Sequence, residues 1–220
     1  MKIRTTEQLY DFTTSELAWR KMELFSLHSM TFAAGLAPNK KNVLLRSTIT
    51  LIYAHWEGFV KSCSTAYLEF VANQRLMNYE LAPNFLAIAI RPILMSAFQS
   101  RKANDHIKVV NFFLNDLPSQ SSVSYKDVID TKSNLSTVVL RNIITSLGFD
   151  YSLYETKEKL LDEKLLKTRN HIAHGEYIEI TASEVNQIQN ECIILMETFK
   201  NQIDNAVSLQ SYRIPLPVRT

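Results

Sequence analysis

An all-α fold follows from three observations. Only four glycines and six prolines punctuate the 220 residues, too few for the turn density of an all-β chain. Apolar residues recur at intervals of three and four along most of the length, the period of a helix face and not the alternation of a strand. Helix-start residues precede these runs, as Thr181 and Glu184 do in the pattern Thr-x-x-Glu before the last of them.

The first helix is predicted over 6–34. Leu9, Phe12, Leu17, Leu24 and Leu27 form its stripe, and Gly35 with Pro38 supplies the stop. Asn39 is the candidate cap of a second helix running to about 77 through Val43, Leu51, Ile52, Phe59, Val60, Tyr67 and Val71. That helix would be roughly 55 Å long, so a bend is expected, with Gly58 as its candidate position. Pro83 opens a third run to Ala97, with Pro92 as a candidate kink, and 104–117 is a further amphipathic stretch. Residues 118–133 (PSQSSVSYKDVIDTKS) form the clearest loop, and Asn134 to Leu147 is helical again with Gly148 at its end.

A helix over about 156–174 follows, then a short extended piece, EYIEI at 176–180. The final helix starts at Thr181 and repeats Val185, Ile188, Cys192, Leu195, Phe199 and Ile203 on one face. Pro215 stops any continuation, so the tail QSYRIPLPVRT is expected to be extended or bound to a partner. The expected organisation is one domain over 1–220, with a bundle from about 6–77 and 156–207 and a helical insertion at about 80–150. No internal repeat is visible.

The net charge of +2 is close to neutral. A chain holding nucleic acid mainly by phosphate neutralisation would be more basic, so any such contact must be local or built from two chains. Cys63 and Cys192 fall in no metal-ligand spacing and read as core thiols of a reduced protein. The opening MKIRTTEQLYDF lacks the apolar run of a signal peptide, and no stretch approaches a membrane span. A cytoplasmic protein is expected.

The chemistry-bearing stretch is LLKTRNHIAHGE at 165–176. On a wheel advancing about 100° per residue, Leu161, Leu165 and Ile172 share the core side. Asn170 and His174 then fall opposite, with Arg169 at the flank of the stripe. His174 precedes Gly175, a residue suited to the left-handed position past a helix end. The helix dipole favours a protonated imidazole there, and histidine exchanges protons near neutrality. Arg169 offers a planar fork of donors that matches phosphate. The same residues also fit a solvated helix end whose side chains cap carbonyls. His171 and His174 at i,i+3 could share a cation, but no carboxylate or cysteine stands at a useful neighbouring position.

The string RNHIAHG resembles the RNxIAHG form of the HEPN superfamily signature, an arginine and a polar residue followed by histidine near the end of a bundle helix. YAHWEGFVK at 53–61 resembles a segment of a prokaryotic branch associated with conflict systems. The resemblance covers about 40–77 and 156–207. It implies a HEPN-like four-helix up-and-down bundle that dimerises with its motif helices facing each other. It also implies metal-independent RNA cleavage at the composite cleft, needing no cofactor. By the same resemblance Arg169, Asn170 and His174 are the catalytic residues: His174 as general acid and base, Arg169 at the phosphate, Asn170 orienting. His171 and Glu57 are candidates for supporting contacts. Glu57 with Lys61 also reads as an i,i+4 surface ion pair, while Trp56 and Phe59 read as core. His55 is a weaker candidate, and His28 and His106 have no motif context. Some members of the superfamily are non-catalytic and bind partner proteins, so a module that binds a nucleotidyltransferase-type antitoxin is the alternative.

Overall fold

The computed structural model describes residues 2–215. Among them every regular element is helical. Helix α1 (Thr6–Thr31) opens on a capping box: Thr5 Oγ1 accepts from the Gln8 N–H, and the Gln8 side chain accepts from the Thr5 N–H. Two donors that the helix start leaves unpaired are thereby satisfied.

Helix α2 (Pro38–Asn73) follows a short connection. Pro38 takes its first position and Ala37 its cap, the place where a missing N–H costs nothing. Asn39 is therefore inside the helix and not its cap, and the helix ends before residue 77. It runs unbroken through Gly58. That glycine answers a packing need, since a Cβ there would lie 3.1 Å from Arg20 Nη1. Its absence lets the buried arginine of α1 lie against α2.

Helices α3 (Pro83–Gln99) and α4 (Ala103–Asn111) pack on each other. Pro92 stands inside α3, and α4 passes into a π-helical turn over Phe112–Asp116. After the expected loop, α5 (Thr137–Leu147) is capped by Ser136, two residues later than Asn134, and stops at Gly148 with φ 74°. The positive φ is open to glycine without the Cβ clash other residues meet. The short α6 (Ser152–Glu155) leads into the motif region, and α8 (Ala182–Ser208) begins with the expected Thr181–Glu184 capping box.

Helices α1, α2 and α8 pack together along their lengths, and the motif helix packs on α2. Their shared core holds Leu24, Ile52, Trp56, Phe59, Leu165, Val185, Cys192 and Phe199. Trp56 and Phe59 are thus core residues, as expected. Burial pushes the thiols of Cys63 and Cys192 well up, which makes them inert apolar fillers. The tail is held by its own chain over 210–214. Tyr212 packs edge-on against Phe70, its carbonyl accepts from Ala82 N–H, and Ile214 N–H donates to the Glu80 carbonyl. The expectation for 216–220 lies outside the described residues. No helix among the described residues is long and apolar enough to cross a membrane.

Candidate active site

The motif helix is not the uniform α-helix that the spacing predicts. Leu160–Leu166 is π-helical, with the Lys167 N–H donating five residues back to the Asp162 carbonyl. Only Lys167–Ala173, helix α7, returns to α geometry. A π turn spends more residues per revolution, so a constant 100° step drifts for the residues after it. Leu161 and Leu165 are buried as predicted, Leu166 joins them, and Ile172 is only half-buried.

Arg169 is half-buried, in keeping with its expected place at the flank of the stripe. Its guanidinium sits over the ring of Tyr53, 4.5 Å from the centroid, and Tyr53 is 1% exposed. Nη1 donates to Asn170 Oδ1 at 2.8 Å and to Asn134 Oδ1 at 3.3 Å. Both intrachain bonds leave from that one nitrogen. The Nε–Nη2 edge donates to no atom of the described residues, and such an edge fits two phosphate oxygens.

Asn170, His171 and His174 line one open groove of about 250 Å³, together with Asp162, Leu166, Lys167 and Glu176. His174 occupies the C-cap, where its N–H donates to the Asn170 carbonyl at 3.0 Å. Its side chain is exposed and its ring has no hydrogen-bond partner among the described residues. Gly175 follows at φ 78° and turns the chain back toward α2, as the left-handed position predicts.

Two carboxylates line the groove that sequence spacing did not reveal. Both Asp162 oxygens are engaged at the start of α5, accepting from Thr137 N–H at 2.9 Å and from the Thr137 hydroxyl at 2.5 Å. Glu176 pairs with His171 Nδ1, so His171 is tied to the turn. No group of three or more His, Cys, Asp or Glu side chains among the described residues is arranged to hold a metal ion.

The second segment contributes a residue that sequence reasoning did not single out. Tyr53 carries Arg169 on its ring and accepts from the Leu135 N–H at 2.7 Å through its hydroxyl. It thereby ties α2, the loop before α5 and the motif arginine to one ring. Burial, reinforced by the neighbouring Glu57 carboxylate, pushes the phenol up to about 12, so it stays protonated at neutral pH. Among the described residues Glu57 forms no ion pair with Lys61 and no hydrogen bond with Arg169. The available signal was Tyr53 itself, at the head of YAHWEGFVK and four residues before Glu57.

The other histidines stand apart from the groove. His55 is buried between α1 and α2, edge-on to Trp19 and 3.3 Å from a Glu23 oxygen but outside hydrogen-bond geometry. Burial holds its imidazole below the usual range. His28 pairs with Asn186, and His106 with the Ser100 carbonyl.

The role of Tyr53 has a measurable consequence. Tyr53→Phe keeps the ring beneath Arg169 but leaves the buried Leu135 N–H unpaired. Stability is expected to fall by about 1–3 kcal/mol. Thermal unfolding checks this, and an unchanged midpoint would count against the bond.

Comparison with known proteins agrees with this architecture. No curated protein and no solved structure matches the chain. The sequence model of the family described as RiboL-PSP-HEPN matches residues 15–205, a span that takes in Tyr53, the whole α3–α5 region and the 169–175 motif. A helical bundle with that match places the chain in the HEPN superfamily, and it belongs to the RiboL-PSP-HEPN family.

Proposed function

We propose that this protein is a metal-independent endoribonuclease of the HEPN type, working as a homodimer and serving as a toxin or antiviral defence effector. His174 carries the reading. It is an exposed imidazole at a helix end, free of side-chain partners among the described residues, on the same groove as Asn170. In the reaction a ribose 2′-OH attacks the adjacent phosphorus and the bond to the 5′ oxygen breaks. The products are a 2′,3′-cyclic phosphate and a 5′-OH. His174 exchanges the proton, and Arg169 neutralises charge on the phosphate through its Nε–Nη2 edge. Asn170 accepts from Arg169 and lines the groove alongside His174. A two-fold pairing of motif helices would supply a second His174, so that one takes a proton while the other delivers one. It would also concentrate positive charge that a chain of net +2 lacks.

Metal independence is supported by the engaged state of the groove carboxylates, Asp162 by Thr137 and Glu176 by His171. Purified protein incubated with total RNA in EDTA is expected to cleave it, with His174→Ala as the inactive control. Activity lost in EDTA and restored by magnesium or manganese would overturn this mechanism. Light scattering at micromolar concentration is expected to give the mass of a dimer, and a monomer would remove the composite cleft.

One observation favours the alternative, a non-catalytic module that binds a protein such as a nucleotidyltransferase-type antitoxin. Arg169 is held within the chain by Asn134, Asn170 and Tyr53, as a structural arginine would be. A well-folded dimer that cuts no RNA in any condition supports that reading.

A further inference from the structure

The turn after the motif helix builds a second recess. Tyr177 stands three residues beyond His174 and is 76% exposed. Arg46, from α2, lies over its ring at 5.7 Å and donates from Nη2 to the Glu176 carbonyl at 2.9 Å. These contacts fix the turn against α2 and leave most of the ring to solvent. Tyr177 and Arg46 line an open pocket of about 210 Å³ with Asn39, Asn42 and Glu179. Arg46 Nε is buried and has no acceptor among the described residues. An adjoining apolar recess of about 360 Å³ shares Val43 and Arg46 and reaches Ile172 on α7.

We propose that this pocket is a nucleobase subsite, which holds the base of a ribonucleotide adjoining the scissile phosphate. The assignment rests on the ribonuclease reading of the His174 groove. A cavity of about 150 Å³ admits benzene, so the space suits a single base. A base stacks on the open face of Tyr177, as bases of single strands stack on aromatic side chains. Arg46, over the same ring at 5.7 Å, holds that ring in place by cation–π attraction. The amides of Asn39 and Asn42 offer both donors and acceptors to a base edge. Glu179 adds an acceptor and repels phosphate, which makes a base the better occupant. Three Cα steps of about 3.8 Å keep Tyr177 within about 11 Å of His174 along the backbone, the reach of a neighbouring nucleotide.

The test uses the full chain carrying His174→Ala, so that RNA binds without being cut. Two fluorescent probes are compared, a single-stranded hexa-adenylate and the same ribose-phosphate backbone without bases. Adding Tyr177→Ala is expected to weaken binding of the base-bearing probe by about 5- to 150-fold, while Tyr177→Phe binds like the parent. The abasic probe is expected to bind all three proteins alike. Affinity lost for both probes, or for neither, overturns the subsite. Cleavage by the protein with His174 intact separates the two readings. Tyr177-dependent binding without cleavage keeps the subsite and removes the ribonuclease. Cleavage with no Tyr177 dependence of binding does the reverse.

Discussion

His174→Ala is expected to slow RNA cleavage by about 10²–10⁴-fold, the usual range for removing a general acid or base, while RNA affinity stays almost unchanged. The two readouts separate because the imidazole is asked to move a proton and not to hold charge on the phosphate. Folding gives little reason for a secondary effect. The side chain is exposed, and the cap depends on the backbone N–H to the Asn170 carbonyl. The cap backbone, at φ −85° and ψ 5°, is open to alanine. Single-turnover cleavage, fluorescence polarisation and circular dichroism measure rate, affinity and helicity. Cleavage at the parental rate would remove RNHIAH as the active site, and a loss of helicity would make His174 a structural residue.

Arg169→Lys is expected to reduce cleavage by about 10²–10³-fold, on the scale of losing one donor at a developing charge. The charge is kept, but three features of the arginine are lost together. A lysine ammonium has no flat face to lie on Tyr53, no second nitrogen to hold Asn134 and Asn170, and no free fork for a phosphate. RNA binding should suffer less than the rate. A lysine variant with full activity would show that a point charge suffices and that the fork is not used. If the variant unfolds instead, the contacts with Tyr53 and the two asparagines are what the arginine is for.

Much of the site could be read before any coordinates because its parts are close in sequence. Arg169, Asn170, His174 and the left-handed Gly175 lie within one turn and its exit, and cap chemistry acts over the same few residues. His174 is accordingly exposed at a helix end, as its position predicts. The π-helical turn at Leu160–Leu166, which changes the angular step, is not legible in the sequence, because no residue type announces it. Asn39 reads as a cap because asparagine is a favoured one, whereas Pro38 at the first helical position sets the boundary.

The sequence by itself determined the all-helical class, the order of the helices and most of their ends. Apolar period, capping boxes and glycine stops are written in residues a few positions apart, where short-range geometry governs. It also singled out the short string proposed to carry the chemistry. Tertiary structure alone decided what surrounds that string. Tyr53 meets Arg169 across more than a hundred residues, Asn134 reaches it from the loop before α5, and Arg46 ties down the turn at Glu176. Gly58, expected as a bend, became a clearance for Arg20. Each of these contacts depends on how side chains from separate helices fill a shared space, and close packing is a property of the assembled bundle.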